Sequence, residues 1–125
     1  MITLTLVDDE PFVRHALRML LTLEPDLSIV GEAADGEAAI SLVESMHPDV
    51  VLMDVTMPEM DGIAATARLK GTAPESAVII LSLKDDAATR RRAKCAGAAG
   101  FIGKHETMDK LLAAIRAVAP REQPA

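Results

Sequence analysis

Tryptophan and tyrosine are absent from this chain, and Phe12 and Phe101 are its only aromatic residues. A core without large rings has to be filled by Leu, Ile, Val, Met and Ala. Cysteine occurs once, as Cys95. That excludes an internal disulfide and fits a reducing compartment. No histidine lies at a suggestive spacing from it, so Cys95 reads as a packed or semi-exposed small residue rather than a nucleophile. Positive charge is also scarce. The formal net charge of −6 argues against direct binding to nucleic acid, which needs a basic face. The single dense basic run, Arg90-Arg91-Arg92, reads as a solvated or partner-facing helix surface. No apolar run approaches the roughly 20 residues that span a bilayer. The start, Met1 and an apolar run meeting Asp8-Asp9-Glu10, has no basic leader of the secretory kind. The expectation is a cytoplasmic protein without membrane contact.

What remains is a chain of 125 residues, half of them apolar, the size of about one domain. Residues 2–7 are a β-rich run closed by acids. Pro11 fits the first turn of a helix, and Phe12, Val13, Ala16, Leu17, Leu20 and Leu21 recur at helical spacing through residue 23. Residues 27–33 read as a strand, and Asp35 as the cap of a helix through Glu44 that buries Ala38, Ala39, Leu42 and Val43. Residues 49–53 show almost no alternation, which suits a central parallel strand covered on both faces. A loop with Pro58 and Gly62 as shape determinants leads to a helix near 63–69. A strand at 77–81, a weak helix to about Cys95, a short strand at 98–102 and a helix at 107–118 complete the pattern. Five strand–helix repeats indicate an open, doubly wound α/β sheet. Residues 1–119 form one domain. Residues 120–125, with two prolines and no apolar anchor, read as a tail or the start of an interdomain linker.

The chemistry sits at strand ends. Asp8 and Asp9 leave the first strand, Asp54 the third, Ser82 the fourth, and Lys104 follows the fifth. In open α/β sheets such ends share one crevice. Acids at helix starts are often mere caps, but three carboxylates converging with a lysine exceed that role. Such a sparse acidic site suits Mg²⁺. Asp54 is the candidate nucleophile, since a carboxylate oxygen can attack phosphorus to give an acyl phosphate. Asp9, and less directly Asp8, hold the cation, with a carbonyl near Thr56 as a further ligand. Lys104 neutralises phosphoryl oxygens, Ser82 donates to one of them, and Thr56 borders the mouth. His15, His47 and His105 form no ligand pattern.

Val7-Asp8-Asp9-Glu10-Pro11, Asp54 through Gly62, Ser82, and Gly100-Phe101-Ile102-Gly103-Lys104 together resemble the receiver domain of bacterial two-component response regulators. The residues around Phe12-Val13-Arg14 and Leu111 to Arg116 look most like the subfamily with a C-terminal helix-turn-helix output domain, the LuxR/NarL type. No such domain occurs within the chain. The resemblance implies a flavodoxin-like sheet in the order 2-1-3-4-5 with five helices. It makes Asp54 the phosphoacceptor, Asp8 and Asp9 the Mg²⁺ site, Lys104 the phosphoryl-contacting lysine, Ser82 the switch hydroxyl and Phe101 the aromatic that follows it. It implies a sensor histidine kinase as donor, a homodimer on phosphorylation and control of transcription. Such a domain catalyses its own phosphorylation and dephosphorylation without being a conventional turnover enzyme. Two residues depart from the pattern. Leu83 stands where a small residue is usual and narrows access, and His105 stands where proline is usual.

Other readings fit less well. A degenerate receiver acting only as a binding module gains from Leu83 and His105 but loses to the intact acidic trio. A small metal-dependent phosphatase would need a cap region to enclose an organic substrate. A flavin-binding electron carrier would need stacking aromatics and no acids at its phosphate loop.

Overall fold

The computed structural model describes residues 1–57 and 59–119. Pro58, expected to shape its loop, and the tail at 120–125 lie outside the described residues. In chain order the elements are β1 (Ile2–Val7), α1 (Pro11–Thr22), β2 (Leu27–Ala33), α2 (Gly36–Met46), β3 (Val50–Asp54), α3 (Gly62–Thr72), β4 (Ala77–Ser82), α4 (Ala87–Ala96), β5 (Gly100–Gly103) and α5 (Met108–Val118). All neighbouring strands pair in parallel, in the order β2-β1-β3-β4-β5. The strand order therefore reverses at β1, whose neighbours are β2 and β3, and β5 is an edge.

The unbroken apolar run of β3 follows from burial on two sides. Val51 and Met53 join the core under α2, α3 and α4, with Ile40, Val43, Ile63 and Leu69. Val50 and Leu52 join the opposite core under α1 and α5, with Leu21, Leu111, Leu112 and Ile115. Both cores are aliphatic, and each strand residue serves one of them by the two-residue period of the pleat. No helix among the described residues is long and apolar enough to cross a membrane.

Local chemistry sets the element ends. Asp35, Asp61, Asp86 and Thr107 each accept a hydrogen bond from a backbone N–H in the first turn of α2, α3, α4 and α5, which satisfies donors the helix leaves open. Asp49 is not the first residue of β3. Its carboxylate accepts from the Thr3 N–H at 2.9 Å and its own N–H donates to Thr3 Oγ1 at 2.9 Å, tying β1 to β3 at their entry. β5 starts two residues later than expected. Gly97 ends α4 at φ 101°, and the Ala98 N–H still bonds back to Ala93.

One expectation of helix burial is corrected in part. With Asp35 capping at Ala38, α2 buries Gly36, Ala39, Ile40 and Val43, while Ala38 faces solvent and Leu42 is half-buried. In α1 only Leu21 is buried. Phe12 is 85% exposed, and Met19, Leu20 and the capping Leu23 also face solvent, while Val13 and Leu17 are half-buried, so the helix's apolar residues are divided between the sheet and the outside.

Gly62 matters for space rather than for φ. A Cβ built there would lie 1.9 Å from the Asp54 carbonyl oxygen, while its N–H donates to the Val55 carbonyl at 2.9 Å. The start of α3 is thus pressed against the end of β3. Gly62→Ala, a helix-favouring change by propensity alone, is expected to destabilise the fold by about 2 kcal/mol or more. With no Trp or Tyr in the chain, urea unfolding followed by far-ultraviolet circular dichroism is the measurement.

Candidate functional site

Parallel pairing carries the ends of β1, β3, β4 and β5 to one edge of the sheet. Asp8 extends β1 by one residue, its N–H donating to the Ala33 carbonyl at 3.1 Å. Its side chain is 3% exposed and that of Asp54 7%. Lys104 arrives from the loop after β5, held there because its N–H donates to the Ser82 carbonyl at 2.8 Å. Its Nζ lies 3.0 Å from Asp8 Oδ2 and 3.0 Å from Asp54 Oδ1. Asp9 is exposed, yet one oxygen from each of Asp8, Asp9 and Asp54 falls within 4.8 Å of the others. A cleft of about 240 Å³ opens over them, lined by Asp9, Glu10, Asp54, Thr56, Leu83 and Lys104.

The charges do not balance. Three carboxylates face one ammonium, and hard oxygens carrying surplus negative charge suit a hard divalent cation. Burial pushes the Asp54 carboxyl above its usual pKa, with the Lys104 hydrogen bond pulling down and the Asp8 charge pushing up. Lys104 feels burial in the opposite sense. Its hydrogen bonds to Asp54 and Asp8 outweigh that and hold its pKa above the ordinary lysine value.

The structure brings Asp8, Asp9, Asp54, Thr56 and Lys104 together as expected. Ser82 ends β4 and is buried, but its Oγ accepts the Lys84 N–H at 3.0 Å and does not line the cleft. Leu83 sits at the lip, 80% exposed. Phe101 lies away from the cleft, half-buried on β5 beneath the guanidinium of Arg90, 4.6 Å from ring centroid to Cζ. Arg90 is therefore not a merely solvated residue. Sequence reasoning also missed Arg14, which donates to the Asp8 carbonyl and to Glu32 on β2. Its position one turn into α1 was a signal only once Asp8 was known to lie beside that turn.

Residues 4–116 match the response regulator receiver domain. The chain belongs to that family. A curated relative, the transcriptional regulatory protein DegU of Brevibacillus brevis, is 36% identical over 94% of this chain and 50% of its own length. The receiver therefore spans about half of that relative. A solved two-component response regulator of the LuxR family from Aurantimonas sp. SI85-9A1 superposes with a TM-score of 0.91 at 34% identity, covering 94% of this chain and 84% of the other. The CheY of Borrelia burgdorferi, solved in a complex with CheX, BeF₃ and Mg²⁺, gives a TM-score of 0.87 at 29% identity, covering 94% and 88%. The family and the LuxR-type relatives account for the fold and for a role in phosphorylation-dependent signalling.

The raised Asp54 pKa has a stability consequence. Between its unfolded and folded pKa values the native state binds more protons than the unfolded chain, so this group's contribution to stability falls as pH rises through that window. Asp54→Asn, which cannot ionise, is expected to melt roughly 2–5 °C above the unaltered receiver at pH 7. The gap should close as pH is lowered into the acid range, read by circular dichroism melts across pH 4–7.

Proposed function

We propose that this receiver is a phosphoacceptor switch in which Asp54 takes a phosphoryl group from a phosphohistidine of a sensor histidine kinase. The observation that supports it most is the meeting of the Asp8, Asp9 and Asp54 carboxylates within 4.8 Å under an ammonium hydrogen-bonded to two of them. An Asp54 oxygen attacks phosphorus in line. The bond from phosphorus to the imidazole nitrogen breaks, and the imidazole keeps the electron pair. Lys104 then exchanges carboxylate partners for phosphoryl oxygens without leaving its place. Asp8, Asp9, Asp54 and the Thr56 carbonyl are the groups that hold Mg²⁺, which when bound neutralises charge on the phosphoryl oxygens. Hydrolysis of the acyl phosphate, releasing inorganic phosphate, ends the signal. Thr56 and Leu83, at the mouth, set how water and small donors reach phosphorus.

Signalling follows from the new charge. The Ser82 hydroxyl leaves the Lys84 N–H for a phosphoryl oxygen, and Phe101 repacks the face of α4, β5 and α5. That face controls dimerisation or an output domain. The DegU relative, twice the length of the match and a transcriptional regulatory protein, supports a transcriptional role. The exposed Phe12, Met19 and Leu20 of α1, with Leu23 at its end, give an apolar platform starting three residues from Asp9, where a protein donor has to approach.

Intact mass after treatment with phosphorylated kinase, or with acetyl phosphate and Mg²⁺, should show one added phosphoryl group, absent in Asp54→Asn. An unchanged mass with both donors would falsify the assignment. Lys104→Ala should slow acylation on the order of 10²-fold, while Leu83→Ala should speed it with acetyl phosphate.

A further inference from the structure

Phe101 carries a cation on its exposed face. Arg90, one turn into α4, places its guanidinium carbon 4.6 Å from the ring centroid. The same side chain donates through Nε to Asp85 Oδ1. The other oxygen of Asp85 lies 3.8 Å from His105 Nε2, and the His105 ring rests against Gly103, where an added Cβ would stand 2.5 Å from its Cε1. Asp85 is thus gripped between α4 and the loop after β5. It also directly follows Lys84, whose N–H holds the Ser82 hydroxyl at 3.0 Å. One guanidinium therefore links the Phe101 ring to the segment that carries Ser82.

We propose that Arg90 is a positioning residue of the switch, clamping the Phe101 ring and making its release depend on movement of Asp85 and Ser82. The inference rests on the phosphoacceptor reading and goes beyond it. An aromatic ring attracts a cation over its face, and a carboxylate at Nε orients the planar guanidinium. Phe101 cannot reach another staggered rotamer without leaving that cation. When a phosphoryl group draws Ser82 Oγ away from Lys84, the next residue shifts and Asp85 loosens its hold on Arg90. Coupling of this kind is reciprocal: whatever frees the ring also favours occupancy of the phosphoryl site. The Arg90–Asp85 pair is partly exposed, with side-chain accessibilities of 45% and 24%, so the effect is modest, about three- to ten-fold in the ring equilibrium.

The composition makes the test clean. Phe12 and Phe101 are the only aromatics, so ring-labelled phenylalanine gives two sets of signals, with the exposed Phe12 as internal reference. Three-bond couplings report the Phe101 χ1 populations in the unphosphorylated protein. The unaltered chain should hold one dominant rotamer. Arg90→Met, which keeps the aliphatic stem but no charge, should raise the minor rotamer about three- to ten-fold. Asp85→Asn should raise it less, and Arg91→Met, in the same run but without such a partner among the described residues, should not. Titration with beryllofluoride and Mg²⁺ then reads the coupling, and Arg90→Met should bind the mimic tighter by a similar factor. A Phe101 rotamer unmoved in Arg90→Met overturns the clamp whatever the site binds. A freed ring with unchanged beryllofluoride affinity overturns the coupling. No binding by the unaltered chain sinks the phosphoacceptor reading and the coupling with it, while the rotamers still decide the clamp.

Discussion

Asp8 and Asp54 lie side by side and nearly buried, and the ammonium of Lys104 gives each a hydrogen bond at 3.0 Å. Two like charges at that depth repel and have lost most of their water. The shared lysine is what makes their company tolerable. Its position depends in turn on the sheet. Asp8 and Asp54 come from adjacent central strands, while Lys104 comes from beyond β5 and is fixed through the Ser82 carbonyl. The parallel order is thus the condition for the site and not a background to it.

Around this pair the structure gives up local stability in return for a prepared charge pattern. Burial raises the Asp54 pKa against its own ionisation, and Gly62 lets α3 press on the Asp54 backbone. Arg14 on the Asp8 carbonyl braces the acidic corner from behind. Such supporting contacts hold the carboxylates in place. The Ser82 hydroxyl stands outside these contacts and accepts the Lys84 N–H.

The sequence made the fold and the acidic corner legible because both rest on strong periodic or chemical signals. The unalternating run of β3 predicts two covered faces, and the acids at strand ends predict a shared edge. Helix faces were less legible. In α1 the apolar spacing is genuine, but it cannot say which residues point at the sheet, and Phe12 and Leu20 turn outward. In α2 Asp35 caps the helix as expected, yet burial falls on Ile40 and not on Ala38, two positions away, a choice the apolar spacing alone leaves open. Contacts from one element to the next, Arg14 with the Asp8 carbonyl or Arg90 with the Phe101 ring, leave no trace in the apolar spacing. They exist only once the layers are stacked.

β5 is only four residues long and lies at the sheet's margin, paired on one side alone. Fraying starts at such margins. An opening confined to this strand would withdraw the Lys104 ammonium while Asp8 and Asp54, anchored in the sheet's interior, stayed where they are. The two halves of the crevice would then differ in lifetime: the acids would persist with the sheet's interior while the amine moved with its strand. Amide exchange at Ile102 and Lys104 would run faster than at Leu52 and Met53, and the carboxylates would be bared to solvent in brief intervals without any loss of fold.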